Sequence, residues 1–286
     1  RILEALEADY PNLHIVWYVY SHYMMPPAIE MNPRIVGVLA PISMDRIRGM
    51  DNPMSPDRHG LRWLIDEWQQ RGYREMYYRG YYNNLACVNL PFSQIDRVRN
   101  EVPALHARGV NVFRVEVIRQ SWATNPLTLY LAAKVMWDVT ADVDALLDDF
   151  YRKFYGPAEA PMRQYHEQLE SAFRDTPYFT GSSYVYFPIF MDHPRRDALR
   201  ALLDEAATQA ARAQRGGDGR AHLYAERVNL MREGYRRMDL FLDMIQARNR
   251  HDFATAQDRM QQFDEHSVML SEILLEGEHL TGARAR

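Results

Sequence analysis

The alternation of strand-like and helix-like segments over residues 1–117 limits the fold of this chain more than any other feature of its sequence. Runs of β-branched and aromatic residues predict four strands, at residues 13–21, 35–42, 74–82 and 110–117. Apolar periodicity predicts helices between the later strands, near residues 56–71 and 93–108. Strands that alternate with helices at this spacing indicate βαβ units and therefore a parallel sheet.

After Glu116 the pattern becomes almost purely helical. Asn125-Pro126 has the cap-and-proline form of a helix start, and two more helices are predicted at residues 141–155 and 158–173. Three long helices complete the chain, and the last two carry apolar stripes at spacings of three and four, typical of a helical bundle. These stripes are Met231, Tyr235, Met238, Leu242 and Ile245, then Phe253, Ala256, Met260, Phe263, Leu270 and Leu274. We therefore predict two domains, 1–122 and 123–286.

Four parallel strands with crossover helices fit either half of an eight-stranded barrel or a small doubly wound sheet. The sequence has no G-x-G-x-x-G turn and no P-loop, so nucleotide-binding forms of the open sheet lose support. We predict an α/β fold: the C-terminal half of a (β/α)8 (TIM) barrel, followed by an all-α helical bundle. Since the chain opens at Arg1 inside an amphipathic segment, we expect the other barrel strands to precede it.

Composition narrows the functional classes. The net charge is −4 with arginines and acids interspersed, which argues against a nucleic-acid partner. No apolar run reaches the roughly 20 residues of a membrane helix. The histidines are scattered without an H-E-x-x-H motif, so neither a metal nor another cofactor is implied. The single cysteine, Cys87, cannot form an intramolecular disulfide and is interpreted as a small buried hydrophobe.

The first strand exit offers candidate ligand contacts, because parallel barrels build their active sites at the carboxyl ends of strands. Strand alternation places Tyr18, Tyr20 and His22 on one side of the first strand, which we expect to face the barrel lumen. We predict that these three residues bind substrate. The alternative is that the tyrosines are core aromatics and the histidine is a structural or surface residue.

The third strand exit is rich in aromatic and amide groups. Gly80 permits close approach of a backbone or ligand, and Tyr81, Tyr82 and Asn84 follow it. Their rings and amide could contact sugar hydroxyls, so we predict that they bind substrate. The alternative is ordinary packing of aromatic residues beneath a loop.

The fourth strand carries the best candidate for catalysis. Arg114 and Glu116 alternate with apolar residues, and a strand buried on both faces rarely carries such groups unless they pair or act. Glycosidases require a carboxylic acid and a carboxylate on either side of the scissile bond. We therefore predict that Glu116 is catalytic; the alternative is an ion pair with Arg114. Asp45, after the second strand, is a weaker candidate carboxylate.

The ordered segments YVYSHYMMPP, YYRGYYNNLACVNLPF, GVNVFRVEV, SWATNP and LYLAAKVMWDVTADVDALLDDFYRKFYG carry a family resemblance. Over residues 10–172 the chain resembles a bacterial uncharacterised-domain family of glycoside-hydrolase-like proteins, distantly similar to α-glucuronidases and hexosaminidase-type TIM barrels. One departure is Val139, where α-glucuronidases often have proline. The resemblance implies carbohydrate chemistry, a substrate-site role for Trp122, and a general acid located before Arg1.

The resulting functional hypothesis is a glycoside hydrolase fragment, incomplete as it stands. It would act on a polysaccharide or oligosaccharide by carboxylate acid/base chemistry, with a carbohydrate substrate as its partner. A non-catalytic carbohydrate-binding or scaffold protein is the alternative from another class. A third hypothesis, an interaction module, predicts that the stripe from Met231 to Ile245 is exposed.

Overall fold

A computed structural model describes residues 2–73, 75–83, 90–116, 124–178, 186–216 and 219–280, the side chains of 271–280 excepted. The strands are β1 Ile15–Val19, β2 Ile35–Leu39, β3 Met76–Tyr81 and β4 Val110–Glu116. Three helices accompany them: α1 Ile2–Leu6, α2 Pro56–Gln70 and α3 Ile95–His106. Seven follow: α4 Pro126–Trp137, α5 Val143–Tyr155, α6 Glu159–Arg174, α7 Phe187–Phe190, α8 His193–Arg215, α9 Ala221–Asn249 and α10 Phe253–Leu280.

The four strands form one parallel sheet in the order β1-β2-β3-β4. The positions of the predicted strands and the mixed α/β class are therefore confirmed, although β1, β2 and β3 are shorter than their sequence patterns. The strands lie side by side in chain order because α2 and α3 are crossover helices. Each brings the chain back to the other end of the sheet, where the next parallel strand begins beside the previous one. The finer assignment to half of a TIM barrel stays a prediction, as does the division at residue 122.

The helical side of the sheet is packed by the apolar stripe that the sequence predicts for α2. Leu61, Leu64, Ile65 and Trp68 are all buried against sheet residues that include Tyr78. Gly37 lets the layers approach closely, because a Cβ there would lie 2.9 Å from the ring of Tyr73.

β1 differs from the buried strand that its sequence predicts. Val16, Trp17 and Tyr18 are 57%, 38% and 43% exposed, and only Val19 in this strand is fully buried. The reason is position, since β1 pairs with β2 on one side and lies at an edge of the described sheet. An edge strand keeps its apolar composition but loses the cover that a central strand receives.

The helical part has a continuous core that extends to Tyr82, Val98 and Val102 beside the sheet. The predicted stripe from Met231 to Ile245 on α9 is buried, which contradicts the interaction-module hypothesis. The stripe predicted for α10 is only partly buried, because Phe253 and Met260 are exposed. Within the described chain α10 packs mainly on α9, and a helix with one major neighbour buries a narrow face.

A buried polar network joins α2, β3 and α3 behind the sheet. Glu101 accepts hydrogen bonds from the Tyr78 hydroxyl at 2.5 Å and from Arg97 Nε at 3.0 Å. Its second oxygen lies 3.3 Å from Arg58 Nη1, and these four side chains are all fully buried. One carboxylate thus compensates two buried guanidinium groups. Burial alone would raise the pKa of Glu101, but the charges of Arg58 and Arg97 hold it below its ordinary value.

Replacing Glu101 by Gln should lower the free energy of unfolding by about 3–5 kcal/mol, because two buried guanidinium groups lose their counter-charge. Urea titration followed by circular dichroism measures the loss. The lowered pKa means that the unfolded chain takes up the Glu101 proton first as the pH falls. The contribution of Glu101 is therefore fully present above the unfolded-state pKa of about 4.5 and declines as the pH falls through the folded-state value.

The control variant is Glu226→Gln on the exposed face of α9, which should change stability by no more than about 0.5 kcal/mol. A loss below about 1 kcal/mol in Glu101→Gln would contradict the assignment of Glu101 as the central counter-charge.

Candidate functional site

Polar side chains gather at the carboxyl end of the sheet, on the face opposite α2 and α3. Tyr78 points toward the helices, so strand alternation places its neighbour Arg79 and then Tyr81 on the opposite face. The parallel register pairs Arg79 with Arg114 and Tyr81 with Glu116, which puts these residues on that same face. We refer to Tyr18, Arg79, Tyr81 and Glu116 as the strand-end cluster.

Arg79 is the centre of the strand-end cluster. Its Nη2 donates a hydrogen bond to Glu116 Oε2, and its Nη1 donates to the Tyr18 hydroxyl at 3.1 Å. Its guanidinium carbon also lies 5.8 Å from the ring centroid of Tyr18 and 5.9 Å from that of Tyr81. The hydrogen bond to Glu116 raises the pKa of Arg79, which keeps the guanidinium group in its charged form. One guanidinium therefore connects β1, β3 and β4.

The ion pair is reachable from solvent. The side chains of Arg79 and Glu116 are 21% and 27% exposed. Glu116 thus lies at the sheet exit, where the sequence places it, but its partner is Arg79 and not Arg114. The register sets Glu116 opposite Tyr81, so Arg79 is its diagonal neighbour on β3, a position that a long arginine side chain can reach.

Arg46 lies beneath the cluster and comes from the segment after β2. It is fully buried, with its guanidinium carbon 5.1 Å from the Tyr81 ring centroid. Its Nη1 and Nη2 donate to the carbonyl oxygens of Asn83 at 3.2 Å and Ile42 at 2.8 Å, while its buried Nε has no partner. Burial, followed by the charges of Arg97 and Arg58, lowers the pKa of Arg46 to about 10.

A family model described as Domain of unknown function (DUF4838) matches residues 1–168, more than half of the chain. The chain belongs to the DUF4838 family. This confirms the resemblance to an uncharacterised-domain family, while the relation to glycoside hydrolases stays a prediction. No curated protein and no solved structure matches the chain. The match covers the whole sheet and therefore the whole strand-end cluster.

The other predicted site residues of the DUF4838 chain lie in different surroundings. Tyr20 follows β1 and is 38% exposed. His22 is exposed in the 3-10 turn Ser21–Tyr23. Tyr82 is fully buried on the helical side, with Arg97 4.7 Å from its ring centroid, so the cluster does not include it. Asn84, Trp122 and Cys87 lie outside the described residues.

Sequence reasoning missed three groups in this region. Arg79 could have been found, because it alternates with Tyr78 and Gly80 and so shares a face with Tyr81. Arg46 carried no signal, since its segment has no regular period. Asn83 also escaped notice; it is 5% exposed, and neither polar atom of its buried amide has a hydrogen-bond partner. Buried polar atoms are nearly always paired, so such an amide is typical of a ligand or water site.

Asp45, the weaker carboxylate candidate, is fully buried and bonded to Arg48 Nη1 at 2.6 Å. It also accepts a hydrogen bond from the Ile47 backbone nitrogen at 2.9 Å. Its oxygens are therefore engaged in holding the segment after β2. Among the described residues, no group of three or more His, Cys, Asp and Glu side chains is arranged to bind a metal ion. None of the described helices is long and apolar enough to span a membrane.

A double-mutant cycle of Arg79→Met and Glu116→Gln should give a coupling energy of about 0.5–1 kcal/mol, the range for a partly exposed ion pair. Urea unfolding of the four proteins measures it. The matched control is the same cycle with Arg114→Met in place of Arg79→Met, where we expect a coupling near zero. Stronger coupling of Glu116 to Arg114 than to Arg79 would contradict the observed Arg79–Glu116 ion pair.

Proposed function

We propose that this DUF4838 protein is part of a glycoside hydrolase in which Glu116 acts as one of the two catalytic carboxylates. The observation that carries the proposal is the solvent-accessible carboxylate of Glu116, fixed by Arg79 at the carboxyl end of a parallel strand. The substrate class is a polysaccharide or oligosaccharide.

The chemistry of the cluster supports this role. Hydrolysis of a glycosidic bond passes through a positively charged, oxocarbenium-like transition state, which a nearby carboxylate stabilises or attacks. Arg79 fixes the position of the Glu116 side chain through a charge-assisted hydrogen bond.

Aromatic groups beside the carboxylate suit a sugar ligand. The exposed ring of Tyr18 lies near the carboxyl end of β1, and that of Tyr20 follows the strand. The hydroxyl of Tyr18 already accepts a hydrogen bond from Arg79. Tyrosine combines a flat apolar ring with a polar hydroxyl, so one side chain can both stack on a sugar face and bond to its hydroxyls.

The sheet topology supports the proposal of a barrel half. In a TIM barrel, consecutive parallel strands lie side by side with their helices on the outside, and the β1-β2-β3-β4 order has this form. All-parallel sheets are normally covered on both faces. The exposure of Val16, Tyr18 and Val112 is then explained if further strands close the sheet around the opposite face. Those strands would supply the second carboxylate.

A non-catalytic carbohydrate-binding protein is the second candidate. The exposed Trp17 and Tyr23 favour it, since their rings lie edge to face with centroids 5.6 Å apart at the surface beside β1. Such a protein would bind sugars without needing the carboxylate of Glu116. The test of Glu116 therefore separates the two functions.

Replacing Glu116 by Gln in the full-length protein should lower turnover of its glycoside substrate by about 10²–10⁴-fold. The amide preserves the shape but removes the charge that stabilises the transition state. Reducing-sugar release from a panel of oligosaccharides identifies the substrate, and the same assay then measures the variant.

Glu226→Gln on α9 is the matched control, and its turnover should equal that of the wild type. Unchanged turnover in Glu116→Gln would remove this residue from the chemistry. Sugar binding without hydrolysis in the wild-type protein would favour the carbohydrate-binding function.

A further inference from the structure

The carboxyl end of the sheet carries more positive than negative charge. The guanidinium groups of this region are those of Arg46, Arg58, Arg79, Arg97 and Arg114. Their ion-pair partners are Glu101 on the helical side and Glu116 on the opposite face. These five guanidinium groups have two carboxylates as ion-pair partners, whereas Arg48 of the same region is paired with the buried Asp45. The chain as a whole has a net charge of −4.

The excess of positive charge lies on the face of the sheet opposite α2 and α3. Arg58 and Arg97 share Glu101, and Arg79 is paired with Glu116. Within the described part of the chain, neither Arg46 nor Arg114 has a carboxylate within ion-pair distance.

Arg114 and Arg79 occupy directly opposed positions on β4 and β3. Like charges at opposed positions of neighbouring strands destabilise a sheet. Such an arrangement is tolerated more easily when an anion binds between or above the two groups.

Arg46 adds the second, independent observation. It is fully buried, yet its Nε has no hydrogen-bond partner, and the nearby Asn83 amide is likewise buried without partners. A buried unpaired charge is costly because it has lost its hydration. The positive potential of Arg46 therefore acts on whatever group lies at the Tyr81 side of the sheet, at a distance where a low dielectric screens it weakly.

We propose that the ligand of the strand-end cluster is an anionic carbohydrate, whose carboxylate or sulfate group binds at Arg79 and Arg114 above the buried charge of Arg46. This inference rests on the proposed function and specifies its substrate class. A guanidinium group binds either oxyanion through two parallel N–H donors, which also orients the sugar. The neutral part of the sugar would then lie toward Tyr18 and Glu116.

The test compares neutral and charged forms of the same sugars. Glucose, galactose and mannose, their uronic acids and their 6-sulfate esters are titrated into the full-length protein by isothermal calorimetry, with inorganic sulfate as a separate probe. We expect at least one charged form to bind about 10-fold or more tightly than its neutral parent. A preference for uronic acids or for sulfate esters decides which oxyanion the site takes.

Arg114→Met should abolish most of this preference, lowering affinity for the charged sugar about 10-fold while leaving the neutral sugar unchanged. Arg114 is exposed, so the variant is expected to fold, and circular dichroism checks this. Arg236→Met, an exposed arginine on α9, is the matched control and should keep the wild-type preference.

Equal affinity for neutral and charged sugars, absence of binding by all of them, or a preference that survives Arg114→Met would each overturn the proposal. Its failure is distinguishable from failure of the proposed function. Hydrolysis confined to neutral oligosaccharides would support the glycosidase function and contradict the anionic ligand. Charged-sugar binding that depends on Arg114, without hydrolysis of any substrate, would support the anionic ligand and contradict the glycosidase function.

Discussion

The buried carboxylate of Glu101 is the constraint on which the ordering of this sheet depends. It holds the guanidinium groups of Arg58 and Arg97, from α2 and α3, against the Tyr78 hydroxyl of β3. Transfer of each ion from water costs several kcal/mol, so the arrangement is stable only when every partner is in place. Arg97 also donates to the carbonyl oxygens of Tyr81 at 2.8 Å and Arg46 at 3.1 Å. The network on the helical side thereby fixes both the carboxyl end of β3, at Tyr81, and the segment after β2, at Arg46.

The position of the strand-end cluster follows from that fixation. Because Tyr78 is anchored toward the helices, the alternation of β3 leaves Arg79 and Tyr81 on the other face, and the register with β4 brings Glu116 beside them. Gly80 permits this geometry, since a Cβ there would lie 2.7 Å from the Tyr82 ring. A single carboxylate on the helical side thus determines which side chains lie on the opposite side.

Periodicity in the sequence predicts the elements of this fold well, because a buried helix face depends on local spacing. The α2 stripe and the α9 stripe are both buried as their spacing indicates. Exposure of β1 and of Phe253 could not be predicted, because an apolar pattern does not reveal how many neighbours an element has. Glu116 could be selected from its residue type and strand position, but its pairing with Arg79 depends on interstrand register. Arg46 depends on the path of an irregular segment, which no local pattern encodes.

The pairing of arginine side chains with carboxylates differs between the two faces of the sheet, and this difference bears on function. On the helical side Arg58 and Arg97 both lie within ion-pair distance of Glu101 and donate to the Tyr78 hydroxyl, although Arg58 Nη2 is buried without a hydrogen-bond partner. On the opposite face Arg46 has no carboxylate within ion-pair distance among the described residues, and Arg79 lies opposite Arg114 in the register. Folding alone gives no advantage to such an excess, since neutral residues of similar size would avoid its cost. The excess is therefore better explained by a ligand that supplies the missing negative charge than by the stability of the sheet.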